Sequence, residues 1–159
     1  PGPGTIRGNG WHIRWTTRDP KNPNHPLPLF EADAETGSMF YDEDDVPTIT
    51  LAGVEAKLFR ETEHIANLSA GKLEANREAH SILGSQGVRL VSLRPKQELV
   101  ITADQMEWNT EENNLVAEGN AKLERLNKPQ SPNGSVEAPR ILLNTKTGEY
   151  ELLSAKAQR

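Results

Sequence analysis

The side chains able to do chemistry are spread thinly along this sequence. Four carboxylates, Asp104, Glu107, Glu111 and Glu112, lie close enough in sequence to suggest the acid and base of glycan cleavage, which needs two carboxyl groups flanking one bond. Asp42, Glu43, Asp44 and Asp45 offer oxygen ligands for a calcium ion, but without the spaced ligands and the glycine of a dedicated calcium loop. His12, His25, His64 and His80 are scattered without metal-ligand spacing, and the absence of cysteine removes thiolate nucleophiles, thiolate metal sites and disulfides together. Neither a nucleophile elbow nor a phosphate-binding loop is present. We therefore expect no enzyme activity, no metal and no cofactor. The acidic runs read as solvated turns and the histidines as surface or loop residues. Trp11, Trp15 and Trp108 remain as candidate ligand contacts: exposed, they would stack on sugars; buried, they would pack a core.

Composition narrows the classes further. With 18 Lys+Arg against 23 Asp+Glu the net charge is -5, and neither sign gathers into a block, so the basic surface of a nucleic-acid binder is missing. No apolar run approaches the roughly 18 to 20 residues of a membrane-spanning helix. A length of 159 residues fits one domain with a continuous core.

The elements that must position these residues are strands. Trp11, Ile13 and Trp15 alternate with His12 and Arg14, the period of two of a half-buried strand, which predicts β structure over 11–17. The Gly/Pro-rich opening PGPGTIRGNG and the proline-rich DPKNPNHPLP (Asp19 to Pro28) read as loops. We expect residues 1–10 to form a flexible arm and residues 11–159 a single domain. The stretch Ala52 to Asn67 has helix-favouring composition, but Val54, Ala56 and Leu58 alternate with Glu55 and Lys57, so it is read as β.

Internal repeats decide the architecture. LSAGKLEAN (Leu68 to Asn76), ITADQMEWN (Ile101 to Asn109) and VEAPRILLN (Val136 to Asn144) align at Ala70, Ala103 and Ala138, at Leu73, Met106 and Ile141, and at Asn76, Asn109 and Asn144, with steps of 33 and then 35 residues. Each run enters a polar turn and returns as a second apolar run. A degenerate earlier copy runs from Phe30, through an acidic turn at Asp42 to Asp45, to Leu58. A hairpin hides one face and leaves its edges unpaired, so such units must stack edge to edge around a shared interior. The small residues Ala32, Ala70, Ala103 and Ala138 mark where facing walls approach closely.

The expected product is an all-β chain of repeated antiparallel hairpins enclosing an apolar groove. Its lining is contributed unit by unit: Ala32, Ile49 and Leu51; Leu68, Ala70, Leu73, Ile82 and Leu90; Ile101, Ala103, Met106, Trp108, Leu115 and Leu123; and Ala138, Ile141, Leu143 and Tyr150. An open groove and a filled core demand the same alternation. Glycan binding, or a structural interaction module with no lipid ligand, is the alternative reading.

The segment from Ile101 to Arg125, followed by Val136 to Leu152, resembles the OstA-like repeat of lipopolysaccharide-transport proteins. Ala103, Asp104, Ala117, Gly119, Asn120 and Ala138 carry the likeness. GWHIRWTT and PLFEADAETGSMFY look closer to the opening of the LptC type than to the LptA type. The resemblance implies a twisted, half-open β-jellyroll, taco-like in section, whose groove holds lipid A acyl chains. It implies head-to-tail pairing with other β-jellyroll transport proteins through edge strands, a periplasmic location, and work supplied by an inner-membrane ABC transporter. For the LptC type it also implies a membrane-tethering helix upstream of Pro1.

Overall fold

The computed structural model describes residues 4–44, 46–76, 78–94, 98–125 and 135–154. Ten strands form one sheet: β1 (Gly4–Asp19), β2 (Asn22–Tyr41), β3 (Pro47–Arg60), β4 (Glu63–Asn76), β5 (Ser81–Ser92), β6 (Leu99–Ala103), β7 (Gln105–Asn109), β8 (Asn114–Arg125), β9 (Ser135–Asn144) and β10 (Tyr150–Leu153). Every pairing is antiparallel and follows chain order, with β6 and β7 filling one lane between β5 and β8. No helix occurs among the described residues. β1 and β10 are the sheet's free edges.

The N-terminal segments differ from expectation. Residues 4–10, read as part of a loop-like arm, belong to β1 and pair with β2 from Gly4↔Tyr41 onward. The proline-rich stretch is likewise strand, with the chain reversing at Pro20 and Lys21. Its prolines are tolerated because β3 does not reach them. The β2–β3 pairing begins at Phe30↔Leu58, so residues 22–29 pair only with β1 and their other edge is open. A proline nitrogen facing an open edge costs no ladder hydrogen bond. The segment 52–67 is β as expected, but it is a hairpin, turning at Glu61 and Thr62.

The aligned asparagines have one local job. The Asn76 Oδ1 accepts from the Ala79 N–H, the Asn109 Oδ1 from the N–H groups of Glu111 and Glu112, and the Asn144 Oδ1 from those of Lys146 and Thr147. Asp42 plays the same part in the degenerate unit, its Oδ1 accepting from the N–H groups of Asp44 and Val46. Short Asx side chains of this kind stand in for a backbone turn and fix where each strand ends. Asp42 is therefore committed to a turn, while Asp45 lies outside the described residues.

The sheet folds because nearly every lane carries an irregularity at one level. On β3 the buried side chains are Leu51 and then Val54, Ala56 and Leu58: the inward phase flips across Gly53, which has φ of 64°. The flip recurs on β4 between Ala70 and Leu73, between Ala103 on β6 and Met106 on β7, and on β9 between Ala138 and Ile141. Pairing shifts register beside Gly71 on β4 and between Glu118 and Ala121 on β8. A bulge inserts an unpaired residue, bends the strand and swaps the side chains' faces. Aligned across neighbouring strands, the bulges make a crease.

Asp104, Gly119 and Asn120 build the crease between β6/β7 and β8. The Asp104 N–H donates to the Gly119 carbonyl at 2.8 Å, and the Asn120 amide donates to the Asp104 carboxylate at 2.9 Å. Gly119 has φ of 85°, and a Cβ there would sit 2.7 Å from Asp104 Oδ2, so only glycine fits.

Candidate apolar groove

Folding at the crease turns one sheet into two facing walls. One wall (A) contains the strand halves nearest 11–34, 54–70, 88–103, 121–125 and 135–138; the other (B) contains 4–9, 36–52, 72–85, 105–118 and 140–153. The inward side chains of both walls form a single apolar cluster. Leu90 and Ile101 on wall A, and Leu115 and Ile141 on wall B, are each 0% exposed, which a single sheet achieves only by packing on itself. Beside the crease the walls almost touch: a Cβ on Gly84 of wall B would lie 3.6 Å from the Ala70 Cβ of wall A. Small residues therefore do line the narrow edge. In the first unit, however, it is Ala34, paired with Val54 and next to the Glu35–Gly53 crease, that corresponds to Ala70, whereas the sequence alignment placed Ala32 there.

The candidate interior residues come together in this cluster. Ala32, Leu51, Leu68, Ala70, Leu73, Ile82, Ala103, Met106, Trp108, Leu123 and Leu143 are buried in it with the four residues above, and Ile49, Ala138 and Tyr150 pack against it partly buried. Sequence reasoning missed, among others, Phe30 and Val88, which alternate in phase with Ala32 and Leu90, and Val54, Ala56, Leu58 and Ile65, which lie across an irregularity from the residues it found on the same strands. Trp11, Ile13 and Trp15 pack on the cluster half-buried, so the tryptophans are wall elements. Trp108 is 4% exposed, and its buried Nε1 has no hydrogen-bond acceptor among the described residues.

The remaining polar candidates do not converge. Asp104 belongs to the crease, Glu111 stands 3.7 Å from His80 at the border of the mouth cavity, and Glu107 and Glu112 are exposed. His12 bonds Asp33 and His64 bonds Asn67, both locally.

Opposite the crease lies the mouth between the walls' rims. A cavity of about 1110 Å³ opens there, bounded by the β1–β2 hairpin tip and the β3–β4 turn of wall A and by His80, Trp108, Asn113, Thr145 and Lys146 of wall B. Among the candidate interior residues, Trp108 borders it. Pro26 and Pro28, two residues apart on β2, remove donors from one edge of its wall.

Beyond this cavity the mouth is bridged. Arg60 donates to the Lys146 carbonyl and Arg94 to the Thr145 carbonyl, each at 2.5 Å, and Arg125 donates through Nε to the Tyr150 hydroxyl at 2.9 Å. All three arginines stand on the rim of wall A and all three acceptors lie in the β9–β10 hairpin of wall B. Burial, and then the charge of Arg60, lowers the Arg94 pKa from its ordinary value, with Glu63 opposing. The guanidinium remains charged at neutral pH.

The two ends of the interior are open. Ile6 on β1, in register with Met39, faces inward yet is 53% exposed. At the other edge Leu152 pairs with Ile141 and Val136 with Leu123, and both inward side chains are exposed, at 45% and 42%.

The architecture has a solved counterpart. The crystal structure of LptH from Pseudomonas aeruginosa, described as the LptA homologous periplasmic component of the conserved lipopolysaccharide transport device, superposes with a TM-score of 0.59 at 11% identity, covering 79% of this chain and 82% of that one. This is the LptA-type β-jellyroll fold. No protein-family model matches the sequence, and no curated protein matches it. At this identity the likeness to LptH fixes the fold, and the interior geometry has to carry the functional argument.

Proposed function

We propose that this chain is a non-enzymatic periplasmic component of lipopolysaccharide transport, which shelters acyl chains between its walls and passes them along a head-to-tail series of β-jellyrolls. The observation that carries the reading is an apolar interior that runs from one free edge of the sheet to the other and is uncovered at both, at Ile6 and at Val136 and Leu152. A filled core serving only stability has no reason to surface at both sheet edges, where unpaired strands invite a neighbouring jellyroll. Joined edge to edge, such interiors would be continuous. The fold shared with LptH supports the same reading.

The energetics are adequate. Each methylene moved from water into an apolar interior gains about 0.8 kcal/mol, so several acyl chains between the walls would replace much of a membrane's hold. Leu90, Ile101, Leu115 and Ile141 are fully buried against one another's walls, so the walls must part to admit a guest. Work for directional movement would come from an inner-membrane ABC transporter, and an N-terminal tether would place the chain beside it, as in the LptC type.

Photo-crosslinking side chains test the reading. Placed at Trp108 and Leu143, which face inward, they should capture lipopolysaccharide in cells; placed at Glu107 and Leu142, one residue along on the opposite face, they should not. Equal capture from both faces, or none from the inner one, would refute it.

A further inference from the structure

Arg60 and Arg94 are the feature that an acyl-chain groove by itself does not explain. They sit at the mouth of an apolar interior, on a chain of net charge -5, yet both donate to neutral carbonyls, and neither takes part in an ion pair among the described residues. Their acceptors are successive residues, Thr145 and Lys146, so the two guanidiniums converge on one spot, and the Lys146 side chain, exposed, belongs to the same turn. Arg60, Thr145 and Lys146 also bound the open cavity. Two like charges brought together are costly unless an anion neutralises them. Asp19, Glu61 and Glu111 border the same cavity along with Arg18 and Lys21, and Glu63 lies near Arg94, but none of these carboxylates forms an ion pair with the two arginines.

We propose that Arg60 and Arg94, with Lys146, form a binding site for the phosphate-bearing headgroup of an amphiphile whose chains occupy the interior. This rests on the groove reading and adds the headgroup to it. A phosphate oxygen is a stronger acceptor for a guanidinium than a peptide carbonyl, because the hydrogen bond is charge-assisted on both sides and the planar fork accommodates two oxygens at once. Headgroup binding would therefore exchange the contacts to Thr145 and Lys146 for contacts to the ligand. The same exchange frees two of the three arginine contacts that hold the β9–β10 hairpin to wall A, leaving Arg125 on Tyr150, and so eases the wall movement that chain entry requires. Binding the headgroup and loosening the mouth are coupled.

Three probes of matched chemistry separate the parts: monododecyl phosphate, dodecyl maltoside with the same chain and no charge, and inorganic phosphate, each titrated calorimetrically into the whole chain. The doubly substituted Arg60→Gln/Arg94→Gln protein should lose about tenfold or more in affinity for monododecyl phosphate, the scale of one or two charge-assisted hydrogen bonds, and less than about twofold for dodecyl maltoside. Arg60→Lys/Arg94→Lys should recover part of the loss, and Arg89→Gln on the outer face should change neither affinity. Folding of each variant is verified by its thermal unfolding. Equal losses for both amphiphiles, or no loss for either, would overturn the headgroup site while leaving the groove standing. Inorganic phosphate bound as tightly as monododecyl phosphate would overturn the coupling to the chain. Failure of both amphiphiles to bind the native protein would remove the groove reading itself, and the headgroup site with it.

Discussion

The two ends of the mouth are built differently. At the β1–β2 end the rim is a long hairpin whose second strand has one free edge, prolines in place of donors, and half-buried Trp11, Ile13 and Trp15. At the β8–β10 end, the rim of wall B is tied down by Arg60, Arg94 and Arg125, above side chains with no exposure at all. One inward apolar face thus carries two kinds of mouth: bridged where arginines cross between the rims, and widened into a cavity beside the β1–β2 hairpin, although Phe30, Leu51 and Leu58 on β2 and β3 are as buried as the interior elsewhere. The difference teaches that polar groups at the rim set how the mouth is closed, while the apolar face below is continuous under both.

The strongest test of this contrast is stability. Ile141→Ala, in the clasped half, should cost about 2–5 kcal/mol, whereas Ile13→Ala, in the open half, should cost about 1 kcal/mol because part of its surface is already wet. Urea denaturation of the two variants measures this directly, and equal losses would break the comparison. The crease offers a sharper pair. Gly10 and Gly119 share positive φ values of 65° and 85°, but a Cβ at Gly10 meets nothing within 4 Å while one at Gly119 meets Asp104. Gly10→Ala should cost about 1 kcal/mol from backbone strain alone, and Gly119→Ala about 2–3 kcal/mol because strain and contact add. A smaller effect is expected at the turn that receives the clasp. Asn144→Ala removes an acceptor shared by two N–H groups and should cost about 1 kcal/mol, visible as a lowered urea midpoint with unchanged slope. The smallest is at the open edge: Ile6→Ser should leave stability within about 0.5 kcal/mol, since the side chain is mostly in water already, and a large loss would mean that the edge is covered.

Much of this was legible in the residues. Alternation and the repeat located the inward faces, and Asn76, Asn109 and Asn144 located three turns. The crease was also present, in the three-residue steps from Ala70 to Leu73, Ala103 to Met106 and Ala138 to Ile141, because an odd step on a strand moves the apolar set to the other face unless a bulge restores it. What sequence reading lost was the extent of the N-terminal hairpin: the strand over 11–17 was expected, but residues 4–10 and 22–28 were read as loops. Gly and Pro signal turns when taken alone, and nothing local says that one edge of β2 is free to hold them. The rim arginines were hidden for another reason. Arg60, Arg94 and Arg125 recur at steps of 34 and 31 residues, near the repeat period, but their acceptors are mostly backbone atoms, and the winding of the sheet that brings residue 60 to residue 146 is a property of the whole. The predicted interior positions all lie in or against the apolar cluster, but Phe30, Val54, Ala56, Leu58, Ile65 and Val88 of that cluster were missed, as was the mouth beside it.

Entry of acyl chains between the walls is the central claim, and Trp108 reports on it directly. A protein carrying Trp11→Phe and Trp15→Phe keeps Trp108 as its single tryptophan, buried in the interior and bordering the cavity. Titrated with lipopolysaccharide, or with a phosphorylated amphiphile whose acyl chain carries bromine, its fluorescence should be quenched saturably by the brominated chain and not by the unbrominated one. Saturable binding with no bromine-dependent quenching would place the chains outside the walls and contradict the account.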